Sequence, residues 1–143
     1  MHAEQKRAVI VVGTHHAGKS KTIRKFFKPL VGLREGQRMF TLGGCTGAVL
    51  SQSLEERQHD GVILSQSLEE KGIAAVETFL QSYRDFKILV LAARPPQEAK
   101  SYYRRMKAEL ARHGFKVSTV EVMPGKPDSF YQARANEILL GVQ

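Results

Sequence analysis

One cysteine and no tryptophan occur in the 143 residues. With Cys45 alone, an intrachain disulfide is impossible and a zinc cluster built on cysteines is excluded. Cys45, in the stretch GGCTG, therefore reads as an ordinary thiol. No apolar run approaches the ~20 residues that a membrane-spanning helix needs. The opening MHAEQKRAVIVVG holds a short apolar run that leads into glycine, not into a small-residue cleavage site. The expectation is a soluble cytoplasmic protein with no membrane partner. Acidic residues are the scarcer charge, 14 Asp and Glu against 22 Lys and Arg, for a net charge of +8. Such a balance favours anionic partners, nucleotides or nucleic acid, and equally fits a solvated basic surface.

What is present suffices for a core. Hydrophobic residues make up 42% of the chain, and this length suits one compact domain spanning residues 1–143. Val9 to Val12 is short and β-branched throughout and ends at Gly13, the pattern of a strand buried on both faces. Ile23, Phe26, Phe27 and Leu30 then recur at helical spacing, with Lys21, Arg24, Lys25 and Lys28 between them and a stop near Pro29 and Gly32. Arg38 to Leu42 reads as a second strand, and Lys87 to Ala92 (KILVLA) as another buried one. Ala99, Tyr102, Tyr103, Met106 and Leu110 mark a helix that Gly114 stops. KVSTVEV, Lys116 to Val122, alternates like a strand. After the turn-rich MPGKPD, Asp128 or Ser129 is placed to cap a last helix carrying Tyr131, Ala135, Ile138 and Leu139. Strands alternating with helices predict an α/β three-layer sandwich around a mostly parallel central sheet.

One feature interrupts this rhythm. VLSQSLEE (Val49 to Glu56) and ILSQSLEE (Ile63 to Glu70) are nearly identical and fourteen residues apart. Two copies are too few for a solenoid. Each joins apolar residues to an S-x-x-E capping box, the signature of a strand end followed by a helix start. The second copy continues at helical spacing through Val76, Phe79, Leu80 and Tyr83. The first meets Asp60-Gly61 too soon for a long helix, and because Asp-Gly is a hairpin signal, antiparallel pairing of the two copies is the alternative.

Gly13-Thr14-His15-His16-Ala17-Gly18-Lys19-Ser20 satisfies G-x-x-x-x-G-K-[ST]. Gly supplies ~7% of an average chain, so a chance match in a chain this short falls well under about 1%. It also follows a buried strand and opens an amphipathic helix, the context that the pattern requires. Gly13 and Gly18 let the backbone turn and bring its N–H groups close to an anion, backed by the positive end of the helix. Lys19 supplies a point charge toward the β- and γ-phosphates, Ser20 a hydroxyl for Mg²⁺, and Lys21 completes the segment. His15 and His16 occupy variable positions, as phosphate donors or as exposed loop side chains tolerated because the backbone does the binding.

On these residues, Ala8 to about Leu30, the chain resembles the P-loop (Walker A) nucleoside triphosphatase superfamily. The resemblance implies binding of ATP or GTP with Mg²⁺ and fixes no subfamily. Most members add an acidic residue at the end of a neighbouring buried strand. KILVLA instead runs into Ala93-Arg94-Pro95-Pro96, so Glu69 or Glu70, just past GVILSQS, becomes the leading candidate to hold Mg²⁺ or activate water, with Ser65 or Gln66 ending the strand. The competing reading is that these glutamates complement a helix N-terminus. Glu55 and Glu56 have a weaker claim. Arg94 is a candidate to stabilise transferred phosphate. Lys100, Arg104 and Lys107, with Arg105 and Arg112 nearby, form a basic face, solvated or bound to nucleic acid.

The sequence therefore predicts a small nucleoside triphosphate-binding protein that hydrolyses its nucleotide slowly, with help from a protein partner. The rival is a small-molecule or nucleotide kinase with its own phosphate acceptor. A signalling GTPase is disfavoured: Gly125-Lys126-Pro127-Asp128 lacks the asparagine of N-K-x-D, and no D-x-x-G occurs. A binding module without turnover, with Gly43 to Gly47 as its responsive loop, is the non-enzyme alternative.

Overall fold

The computed structural model describes residues 5–14, 17–33, 39–42, 45–50, 61–67, 81, 86–98 and 101–143. Among the described residues six strands form one sheet: β1 (Lys6–Val12), β2 (Met39–Leu42), β3 (Cys45–Leu50), β4 (Gly61–Ser67), β5 (Ile88–Ala93) and β6 (Phe115–Glu121), in the order β2-β3-β4-β5-β1-β6. Every pairing is parallel except that of β2 with β3. The chain is thus α/β with a mostly parallel sheet.

The central strands read as unbroken apolar runs because helices cover both of their faces. Side chains alternate along a strand. Ala8, Ile10 and Val12 of β1 and Leu89, Leu91 and Ala93 of β5 accordingly share one cluster with Met106 and Leu110 of the helix Tyr103–Arg112. Val9, Val11, Val90 and Ala92 point the other way, onto Ile23 and Phe27 and onto Ala135, Ile138 and Val142 of the C-terminal helix Asp128–Val142. Among the described residues, Ile10, Ile23, Phe27, Leu89 and Leu91 are the largest fully buried side chains, each contributing about 1.5–3 kcal/mol by burial. Tyr103 and Thr119 join their hydroxyls at 2.7 Å, pinning the Tyr103–Arg112 helix to β6.

The helix after the glycine loop is not a regular α-helix. It begins as α over Lys19–Lys21, widens to a π-helix over Thr22–Phe27 and closes as α over Lys28–Leu30. Pro29 sits inside its last turn, and the helix stops at Val31, between Pro29 and Gly32 as the sequence places it, with Gly32 at φ +79°. Proline has no N–H to offer the preceding turn, and Lys28 N–H reaches five residues back to Ile23 O. That i→i+5 spacing stacks Thr22 over Phe27 and Ile23 over Lys28. Lys28, expected on the polar face, is therefore only 3% exposed, while Leu30 is half-exposed.

The first two residues of the repeated octapeptides meet as neighbours. Val49 pairs with Ile63 and Leu50 with Leu64, first residue to first and second to second, on parallel strands. This rules out the antiparallel alternative. Gly47 lies within β3 opposite Phe40, so Gly43 to Gly47 is not one loop. Residues 51–60 and 68–80, which contain Glu55, Glu56, Glu69, Glu70 and the helix expected around Val76, lie outside the described residues, as do Ala99 and Lys100. No helix among the described residues is long and apolar enough to cross a membrane.

Candidate functional site

Parallel strands bring their carboxyl ends to one edge of the sheet, where open α/β sheets place their ligands. β1 delivers Gly13 to that edge between β5 and β6. Gly13 N–H donates to Ala93 O at 3.1 Å and Val122 N–H to Val12 O at 2.8 Å, so both neighbours hold the start of the loop. A Cβ at Gly13 would lie 2.8 Å from Val122 Cγ2 and 2.9 Å from Ala17 Cβ, closer than carbon atoms approach. Glycine is required there by space. Ala17 N–H donates to Thr14 O at 3.0 Å, folding the loop back on itself, and the Ala17 side chain is fully buried. Thr14 is exposed; His15 and His16 lie outside the described residues.

Gly18 has φ +100°, a conformation that residues with a side chain rarely adopt, and starts the helix. Its carbonyl accepts two hydrogen bonds from Thr22, from N–H at 2.8 Å and from Oγ1 at 2.7 Å, and Thr22 is fully buried. The first N–H groups of a helix have no intrahelical acceptor and form the positive end of its dipole. Lys19, half-buried, directs Nζ to Ala93 O at 3.5 Å, placing its ammonium at the end of β5, one residue before Arg94. Arg94 is half-buried; its carbonyl accepts from Ser101 Oγ at 2.8 Å, while that oxygen accepts from Tyr103 N–H at 3.1 Å. Ser20 and Lys21 are exposed on the first turn. The structure thus brings together Gly13, Gly18, Lys19, Ser20 and Arg94 at one edge.

The expected Mg²⁺ strand is differently placed. β4 is separated from β1 by β5, so it is next but one to the loop. Even so, Lys19–Lys21 approaches β4, with Cα atoms within 8 Å. The β4 register with β5 shifts between Ile63, opposite Val90, and Ser67, opposite Ala92. Leu64, Ser65 and Gln66 therefore face Leu91 alone, a bulge of the kind found beside functional sites.

Asp128 does not cap its helix. Pro127 occupies the N-cap position and no side chain caps there. Asp128 instead binds Lys21 at 2.9 Å and Lys25 at 3.7 Å. The hydrogen bond from Lys21, then the charges of Lys21 and Lys25, hold its carboxyl below the usual aspartate range. Tyr131, which the sequence marks only as apolar spacing, packs against Gly18 and donates its hydroxyl to Met123 O at 2.7 Å. No local motif announces the Gly18 contact, because it joins residues more than a hundred positions apart.

Of the basic face, Arg104, Arg105, Lys107 and Arg112 are exposed on the Tyr103–Arg112 helix. A cavity of about 200 Å³ lined by Gln81, Glu109, Arg112 and His113 lies beside the end of that helix. There the Arg112 hydrogen bond, at 2.9 Å, lowers the Glu109 carboxyl below its usual range. Among the described residues no group of three or more His, Cys, Asp or Glu is arranged to hold a metal. Comparison with family models, curated proteins and solved structures finds no match in any of the three.

Proposed function

We propose that the chain is a P-loop-type nucleoside triphosphate-binding protein of the cytoplasm that hydrolyses ATP or GTP slowly with Mg²⁺. One observation carries the reading: the Gly13–Ser20 motif joins the carboxyl end of a buried parallel strand to a helix start, with Gly18 at φ +100° and the Lys19 ammonium at the same edge. The residues suit an anionic ligand. Gly13 and Gly18 let the loop pass tightly against Val122, Ala17 and Tyr131, where a Cβ would clash, the helix start offers N–H donors, and Lys19 and Arg94 add two cations.

In this reading the loop backbone and Lys19 hold the β- and γ-phosphates, and the Ser20 hydroxyl contributes to the Mg²⁺ shell. Bound Mg²⁺ would neutralise charge on the phosphate oxygens. Arg94 steadies the transferred phosphate, and Glu69 or Glu70 supplies the carboxylate that orients water or metal. Support for the glutamates is positional: they follow β4, which the Lys19–Lys21 turn approaches.

The test is calorimetric titration with ATP and with GTP in the presence of Mg²⁺, alongside multiple-turnover phosphate release. Saturable binding with slow release supports the reading, and binding without release favours a module that senses nucleotide. Lys19→Ala, which removes a loop cation and no core atom, should abolish binding with little loss of fold stability. Wild-type affinity in that variant would remove the phosphate-loop reading.

A further inference from the structure

Tyr131 is 4% exposed, and several parts of the candidate site meet on its side chain. Gly18 is seated against the ring: a Cβ there would lie 2.7 Å from Tyr131 Cε1. The hydroxyl donates to Met123 O at 2.7 Å and accepts from Lys126 N–H at 3.4 Å. The Lys21 ammonium stands 4.9 Å from the ring centroid while bound to Asp128. One edge of the ring therefore touches the left-handed glycine of the loop, and its polar end holds the Met123–Lys126 turn. That turn follows β6, the strand flanking β1, and both Met123 and Lys126 are exposed.

A phenol ring is rigid, so displacement at the Cε1 edge is carried to the hydroxyl. Gly18 is the softest backbone position in contact with it, since glycine crosses between positive and negative φ at little cost. The turn has a soft point of its own, Gly125 at φ +75°. The two are linked through one buried side chain with two χ angles.

We propose that Tyr131 is a positioning residue that couples the phosphate loop to the Met123–Lys126 turn. An anion at the loop fixes Gly18, Gly18 fixes the ring, and the ring fixes the two hydrogen bonds of the turn. The coupling rests on the phosphate-loop reading above and adds regulation to that same site. A turn ordered by loop occupancy is a surface that differs between the empty and the loaded protein.

Hydrogen exchange of the full chain tests this, with Mg²⁺-tripolyphosphate as the probe because it has no base or ribose to reach the turn. In the wild type, saturating probe should slow exchange at Gly125 and Lys126 by about threefold or more. In Tyr131→Phe the ring still seats Gly18, so the probe should bind within about twofold of wild type while the turn keeps its probe-free exchange rate. A purely structural Tyr131 would alter melting temperature or probe affinity and leave the transmitted protection in place. Retained protection in Tyr131→Phe overturns the coupling. So does a wild-type turn that ignores a bound probe, an arm that needs no variant to fold. If calorimetry shows that neither the probe nor ATP nor GTP binds the wild type, the phosphate-loop reading itself fails and the coupling falls with it.

Discussion

Lys21 Nζ lies 2.9 Å from Asp128 Oδ1, tying the first turn of the loop helix to the first turn of the C-terminal helix. Because folding lowers the Asp128 pKa, the contact adds stability above the ordinary aspartate pKa of ~3.9 and loses it as pH falls through the lowered folded value. Asp128→Asn should therefore melt below wild type at neutral pH, by a margin that shrinks in acid. Salt should also narrow it, since both side chains are substantially exposed. Denaturant melts at both pH values check this, and an equal gap at each would show that the charge is irrelevant.

Gly18→Ala should destabilise the fold by about 1–3 kcal/mol, the cost of a strained backbone position, and more if the ring cannot retreat. The new Cβ meets Tyr131 Cε1 at 2.7 Å in a backbone held at φ +100°. Urea unfolding measures it. Wild-type stability would mean that the loop adopts another conformation in solution.

Ser20→Ala removes an exposed hydroxyl and should leave stability within about 0.5 kcal/mol. The Mg²⁺-dependent part of nucleotide binding should weaken. Titrations with and without Mg²⁺ separate the two contributions, and an unchanged Mg²⁺ dependence would leave this hydroxyl no metal role.

Replacing Glu69 and Glu70 together by Gln keeps size and helix propensity while removing charge. Turnover should fall at least ~10-fold, or about 1.4 kcal/mol of barrier, with nucleotide affinity changing less. The matching pair at Glu55 and Glu56 is the comparison and should matter less. Wild-type turnover in both double variants would remove all four glutamates as the source of the carboxylate.

Local physics made part of this molecule legible in the sequence. β1 and β5 are buried on both faces, so Val9 to Val12 and Ile88 to Ala92 read as unbroken apolar runs. Gly114, at φ +90°, stops its helix where the composition places the stop. The G-x-x-x-x-G-K-S match was visible because its glycines, lysine and serine lie within eight consecutive residues. What depends on distant partners was not visible. That β5 separates β4 from β1 follows from strand pairing, which side-chain periodicity does not encode. Lys28 was misplaced because the periodicity assumed an α-helix, and a π segment carries position i+5 to the buried side. Asp128 was assigned a cap because the rule looks forward along the helix, whereas its partner lies on another one. Tyr131 looked like any core aromatic, since its ring meets Gly18 only once the C-terminal helix and the loop stand side by side.

The in-register alignment of Val49 with Ile63 also creates a recognition problem for the folding chain. VLSQSLEE and ILSQSLEE differ by one methylene group at one position, so the edge of β5 is offered two almost interchangeable docking partners. Choosing wrongly would strand the other copy, and the discrimination must come from flanking residues, Gly61 and Val62 before one copy and Gly47 and Ala48 before the other. Docking of the first copy on β5 would be a kinetic trap of nearly native energy, escaped by unzipping a strand and not by local repair. A refolding phase that disappears when one copy is scrambled would be its signature.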